Sequence, residues 1–259
     1  MKVRIRFTKL GSMRFIGHLD LMRYFQKVMR RAKVDIRYSE GFSPHQIMSF
    51  AAPLGLGVTS DAEYVDIDVL STEDSVKMTE RLNAVSNDEI RILSYRQIPD
   101  DSKSSMSLIA ASDYIVAFRE PALEILKQHF KAADEQTFWM AVTEKLAEFY
   151  AQEEILITKK TKKSEKEADI RPLIYQMQFR ESAQSHFGDV VFEPCVFLRT
   201  STGSEDNLKP ELVMQAFFQY LGLTMPEFAL QIHRMELYGK DPNEEGKFLR
   251  LEDFGWELN

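Results

Sequence analysis

Cysteine is nearly absent: Cys195 is the single one in 259 residues. One thiol cannot close a disulfide within the chain, and it cannot supply the thiolates of an iron–sulfur cluster or a Cys₄ zinc site. Histidine is almost as scarce. The five, at 18, 45, 129, 186 and 233, match no zinc-ligand spacing such as H-x-x-x-H. No apolar run reaches the roughly 18 to 20 residues that span a bilayer, and the opening MKVRIRF alternates like a strand instead of forming the apolar stretch of a secretory signal. A glycine-rich phosphate loop is lacking too. Gly55-Leu56-Gly57 has no third glycine at the required spacing and no P-loop lysine, so these glycines are expected in a tight bend. Together these gaps predict a cytoplasmic protein with no metal, no cofactor of its own and no membrane attachment.

What is present suits a folded protein. Hydrophobic residues at 44% and charged residues at 28% argue against extensive disorder, and the length allows one large domain or two modest ones. Charge is uneven. Residues 1–50 hold eleven Lys and Arg against three Asp and Glu, a balance of +8, which leaves −15 for the other 209 residues of a chain whose net charge is −7. A basic segment of this kind either meets an acidic partner or polyanion, or pairs with the acidic remainder of its own molecule.

Periodicity predicts the elements. Val3, Ile5 and Phe7 alternate with Lys2, Arg4 and Arg6, which predicts a half-buried strand over 2–7. Over 18–33 the period becomes helical, with Leu21, Tyr24, Phe25, Val28 and Ala32 on one side and Arg23, Lys27, Arg30 and Arg31 on the other. Strands over 34–38 and 64–69, a paired stretch within 39–60, a helix over 72–85 and a strand over 89–97 complete the order β-α-β-β-α-β. The serine-rich stretch 99–112 is the predicted linker. Beyond it, a strand over 113–118, helices over 121–132 and 135–151, a strand near 155–160, a lysine-rich turn KKTKKSEKE, and strand, helix and strand over 190–199, 209–221 and 229–238 suggest the same order with a split first helix. The predicted fold is α+β: tandem ferredoxin-like (βαββαβ) units, with antiparallel sheets and helices on one face. Its parts are an N-terminal unit 1–98, the linker 99–112, a C-terminal unit 113–240 and a polar acidic tail 241–259. In the tail, Phe248, Leu249, Phe254 and Trp256 are placed to dock on the body.

Such a sheet would leave Lys2, Arg4 and Arg6 facing outward, as in RNA-recognition modules. Tyr64, Asp66 and Asp68 on the neighbouring strand would neutralise much of that patch, and the usual pair of base-stacking aromatics is missing. The helix stripe Arg23, Lys27, Arg30 and Arg31 has no built-in neutralisation, and is either a solvated face or a site for phosphate or an acidic partner. His18 and His45 are the candidate acid–base pair, with helix capping and plain exposure as their bland alternatives. Arg171, followed by Pro172, is a candidate grip for a carboxylate or phosphate.

The stretches MRFIGHLDLMRYFQKVMRRA and YSEGFSPHQIMSFAAPLGLGVTSDAEYVDI, with the shorter DIRPLIY and LKPELVMQAF, resemble the radical-SAM-linked (radical SAM-associated) domain of unknown function. It is a bacterial family usually encoded beside, or fused behind, a cobalamin-binding radical-SAM protein. The similarity covers about residues 2–240. By motif it marks His18, Asp20, Ser39, Gly41, Phe42, Pro44, Pro53, Gly57, Glu63, Arg171 and Pro172. The resemblance implies a partner, a cobalamin-binding radical-SAM protein met in trans, and gene neighbours concerned with RNA and ribosomes make RNA a candidate substrate. A looser similarity is to the CRISPR-repeat-processing endoribonucleases, although their glycine-rich loop before the final strand is missing. Three readings follow: a non-catalytic accessory protein presenting substrate, a protein-only scaffold, and a metal-independent endoribonuclease.

Overall fold

The structure is a computed structural model that describes residues 1–160, 165–187, 190–204 and 206–259. The elements run β1 (Lys2–Lys9), α1 (His18–Arg31), β2 (Asp35–Ile36), β3 (Met48–Phe50), β4 (Thr59–Ser71), α2 (Ser75–Asn83), β5 (Ile92–Ile98), α3 (Ser105–Leu108) and β6 (Ile109–Phe118). They continue with α4 (Glu120–Phe130), α5 (Glu135–Tyr150), β7 (Leu156–Lys160), β8 (Glu165–Asp169), β9 (Ile174–Arg180), β10 (Ala183–Gln184), β11 (Val191–Phe192) and β12 (Cys195–Ser201). The last are α6 (Pro210–Tyr220), β13 (Leu230–Lys240), β14 (Phe248–Arg250) and β15 (Trp256–Glu257). The expected class holds: mixed α/β, with antiparallel strand pairing wherever the register is defined. Part of the lysine-rich turn, 161–164, lies outside the described residues.

The chain divides into two compact units, and the cut falls inside β6 and β13. The first takes in Met1–Ser112, a short stretch at His186 and Phe187, and Arg234–Asn259. Its strands lie in the order β15-β5-β1-β4-β13, with β2 and β3 also on β4 and β14 on β13. The alternation of β1 does what the sequence asked of it. Val3, Ile5 and Phe7 are fully buried against Leu21, Phe25, Val28 and Met29 of α1 and Met78 and Leu82 of α2. The Phe7 and Phe25 rings meet at 4.5 Å, and a buried side chain of this size stabilises by roughly 1.5–3 kcal/mol. Asp74 begins α2 by accepting from the Lys77 N–H at 2.9 Å.

The opposite face of β1 departs from expectation. It is not open. A second cluster of Ala51, Ala62, Tyr64, Ile109, Leu237 and Leu251 lies there, with the turn Leu251–Phe254 beside it. The 99–112 stretch is packed as well: Ser105 is fully buried and its N–H donates to Asp66 at 2.7 Å. The residues expected as a polar tail are folded into the same unit, with β14 on β13 and β15 on β5. Two glycines permit that closeness. A Cβ on Gly239 would meet the Phe254 ring at 2.9 Å, and one on Gly255 would lie 2.5 Å from the Gln97 carbonyl oxygen. Because the second obstacle is main chain, it cannot swing away. Gly255→Ala is therefore expected to detach β15, seen as faster cleavage near the C-terminus in limited proteolysis. A cleavage rate equal to that of the native chain would show that the contact is not needed.

The second unit comprises Asp113 to Ser185 and the residues onward to His233, apart from the His186–Phe187 stretch. Its strands follow the order β13-β6-β12-β9, with β12 and β9 antiparallel. Asp134 starts α5 with a capping box shared with Thr137. Phe138, Val142, Leu146 and Phe149, spaced three and four apart, form the buried side of that helix. β7 and β8 form a separate hairpin.

Candidate functional site

In the first unit, the two longest motif stretches become α1, β3, most of β4 and three loops. On α1, Arg23, Lys27, Arg30 and Arg31 all face solvent. Only Arg23 has an ionic partner among the described residues, a screened surface pair with Asp20 at 3.2 Å. Leu19 lies one turn before Arg23 on the same side of the helix and is 61% exposed. The loop that leads into α1 exposes Phe15 at 63%, with the Arg14 guanidinium 4.7 Å from its ring. The 52–57 loop exposes Leu56 at 67%, and its Gly57 N–H donates to the Arg14 carbonyl at 2.9 Å, which ties the two loops together. Gly57 has φ of +83°, a conformation that suits glycine. Phe42 stands fully exposed on the third loop, next to Gly41 at φ +107°. Four large exposed apolar residues and four exposed cations on neighbouring segments of the chain mark a candidate interaction surface.

These loops are held from below by charges that local patterning did not flag. Lys9, almost fully buried, donates through Nζ to the Ile16 carbonyl at 3.0 Å, and burial holds its amine below the ordinary lysine value. Glu89 accepts from the Ser12 hydroxyl at 2.6 Å and from the N–H groups of Ser12 and Met13; these bonds lower its carboxyl. Arg234 grips the motif residue Glu63 and donates to the Ala52 carbonyl at 2.8 Å, which fixes the approach to Pro53.

Beside them, Arg4 makes a two-pronged pair with Asp66, 2.8 and 3.0 Å, and donates to the Leu251 carbonyl at 2.9 Å. Arg6 bridges Glu236 at 2.9 Å and Glu252 at 2.8 Å, with Phe187 against its guanidinium. The cross-strand neutralisation expected on this face is present at Arg4 and Asp66, but Arg6 answers carboxylates far along the chain. Lys2, Arg4 and Arg6 are thus unavailable as an open nucleic-acid platform. Lys2 is half-buried and donates to the Ser102 carbonyl.

Burial raises the Glu236 carboxyl to about 7, helped by the neighbouring Glu252 charge and opposed by Arg6, the Leu237 N–H and the Tyr64 hydroxyl. This value lies above that of an unfolded carboxyl. The folded chain therefore holds an extra proton from about pH 4.5 to 7, and stability falls as pH rises across that window. The loss is on the order of 3 kcal/mol. Urea unfolding is expected to give a lower midpoint at pH 7.5 than at pH 5.5, and Glu236→Gln is expected to flatten the difference. An unchanged difference in Glu236→Gln would assign the slope to another group.

The remaining sequence candidates are placed as follows. His18 opens α1, is exposed, and meets the Phe50 ring edge-on at 5.4 Å; Gly17 occupies the capping position. His45 Nδ1 pairs with the Ser39 hydroxyl at 2.8 Å, and its N–H donates to the same oxygen at 3.1 Å, so the two close the loop that carries Gly41, Phe42 and Pro44. The two histidines have separate partners. Arg171 directs Nε to the Gln152 carbonyl at 3.2 Å and Nη1 to the Ile174 carbonyl at 3.3 Å, with its guanidinium 4.2 Å from the Tyr150 ring. Pro172 comes next in the short helical turn Arg171–Leu173. Arg171, the candidate grip for a carboxylate or phosphate, donates here to two backbone carbonyls. Cys195 is buried, and burial lifts its thiol to about 11. Among the described residues no group of three or more His, Cys, Asp or Glu is placed to hold a metal, and no helix is long and apolar enough to cross a membrane.

A protein-family model described as "uncharacterized protein conserved in bacteria (DUF2344)" matches residues 2–210, and the chain belongs to that family. No curated protein matches it. A solved structure titled "Crystal Structure of a Cbf5-Nop10-Gar1 Complex" is similar over 91% of this chain and 48% of that one, at 10% identity and a TM-score of 0.43. This chain thus spans about half the length of the solved chain it matches, and a likeness of that degree carries no argument about activity.

Proposed function

We propose that the protein is a non-catalytic accessory to a cobalamin-binding radical-SAM protein, bound through α1 and the loops that carry Phe15 and Leu56. One observation carries this reading. Exposed Phe15, Leu19 and Leu56 lie at the N-terminal end of α1 or on the loops beside it, the exposed cations Arg23, Lys27, Arg30 and Arg31 follow along the same helix, and all lie in the segments that resemble the radical-SAM-linked family. Apolar anchors at one end of a row of cations suit a protein surface that offers an apolar patch beside an acidic one.

The same cations favour a second reading, in which RNA phosphates run along α1 while the partner acts on that RNA. We further read the architecture as tandem ferredoxin-like units. Supporting this are the order β5-β1-β4 with β2 and β3 on the far side in the first unit, and β13-β6-β12-β9 in the second. Because the outer face of β1 is covered, any RNA contact is assigned to the helix, not to the sheet.

The test is an anaerobic capture from the protein's own cells, with protein and nucleic acid both identified. Recovery of a cobalamin-binding radical-SAM protein supports the accessory role. Recovery without RNA favours a protein-only scaffold. RNA alone, together with metal-independent cleavage lost in His18→Ala, would overturn the accessory role in favour of an endoribonuclease.

A further inference from the structure

The second unit carries a groove of about 1040 Å³ that nothing in the proposed role uses. One wall is the outer face of α5, where Glu135, Trp139, Met140 and Glu144 recur at helical spacing; the other is the end of β9, with Phe179 and Glu181. Its floor is aromatic and held in place. Trp139 lies 5.8 Å from Phe179, 4.7 Å from Phe138 and 6.4 Å from Phe118, ring centre to ring centre. Met140 beside it is 63% exposed, which leaves a flexible apolar surface at the mouth.

The charge around this floor has one sign. Glu135, Glu144 and Glu181 line the groove, and no lysine or arginine does. None of the three forms an ion pair among the described residues; Glu135 lies 3.5 Å from the Trp139 indole N–H. Of the cations close by, Lys145 pairs with Glu148 at 2.6 Å and Arg180 lies over the Phe197 ring at 4.1 Å, while Lys127 lines the adjoining hollow that Glu135 shares.

From this geometry we infer that the groove is a binding site for an arginine- or lysine-rich peptide segment of a partner protein. The aromatic floor that Trp139 and Phe179 form takes an alkyl stem and a cation through cation–π attraction. The three carboxylates meet the charged heads, and the Met140 surface accepts an apolar neighbour in the peptide. The same carboxylates repel phosphate, so this face is one for protein and not for nucleic acid. The inference is independent of the α1 surface, which is of opposite charge and in the other unit.

Trp139 and Trp256 are the two tryptophans of the chain, so Trp256→Phe leaves Trp139 as the sole reporter. The probe is a ten-residue peptide with four arginines and three leucines, its other positions glycine and serine. Its control replaces each arginine with glutamate. The arginine peptide is expected to shift Trp139 emission saturably, and the glutamate peptide is expected to leave it unchanged. Glu144→Lys with Glu181→Lys, both at exposed positions, is expected to weaken the response at least about tenfold while the circular dichroism stays native. No saturable response would overturn the inference, as would equal affinity in the reversed variant. Emission that instead changes with protein concentration alone would give the groove to a second copy of this chain, and would also overturn it.

Discussion

Replacing Arg4 with alanine is expected to lower unfolding free energy by about 3–5 kcal/mol, the usual cost of stranding one partner of a buried ion pair. The Arg4 side chain is 0% exposed and that of Asp66 10%. Once the guanidinium is gone, the Asp66 carboxylate retains only the Ser105 N–H, and the Leu251 carbonyl loses its donor. The remaining charge would be buried in a setting with little water to screen it. A loss of this size is a large share of the stability of an ordinary domain. Chemical unfolding would measure it directly. The paired change Arg4→Met with Asp66→Asn removes both charges and keeps an amide oxygen for Ser105. It is expected to recover more than half of the loss. If Arg4→Ala costs under about 1 kcal/mol, the pair behaves like an exposed one, and the covering of this face by the C-terminal residues is less complete than described.

The second large effect lies on the surface. Reversing Arg23, Lys27, Arg30 and Arg31 to glutamate is expected to weaken capture of the proposed radical-SAM partner by at least about a hundredfold. Eight units of charge change on a rim where like charges cost several kcal/mol. The four side chains are exposed and on the polar side of α1, so stability should move little. That contrast separates the two predictions: Arg4→Ala changes folding, and the reversal changes binding. If the variant folds natively and binds as before, α1 is not the contact. A companion change, Phe15→Ser with Leu56→Ser, tests the apolar half of the same surface and should weaken binding without altering its salt dependence.

Much of the first unit was legible in the sequence because its signals are local. The alternation of Val3, Ile5 and Phe7 marked a strand, the stripe from Leu21 to Ala32 marked a helix, and facing charges on β1 and β4 announced the Arg4–Asp66 pair. What escaped notice was long-range. Arg6 meets Glu252 across 246 positions and Arg234 meets Glu63 across 171, and no periodicity encodes such contacts. The same cause shortened β4 on paper. Its first residues, Thr59 to Glu63, are polar apart from Ala62 yet buried, so the hydrophobic pattern begins only at Tyr64. Leu251, fully buried within an acidic stretch, looked like part of a tail. The exposed character of Phe15, Leu19 and Leu56 was also hidden, since an apolar residue in a loop reads equally well as core. The groove over Trp139 could have been found in part: Glu135, Trp139 and Glu144 share a helical face, but their union with Phe179 and Glu181 depends on the packing of α5 against β9.

The most direct test of the central claim is anaerobic sedimentation velocity of the purified chain mixed with the purified cobalamin-binding radical-SAM protein from the same cells. A single faster boundary containing both proteins, reverting to two when the α1 cations are reversed, is the expected result. Independent sedimentation at micromolar concentrations, with or without added RNA, would contradict it.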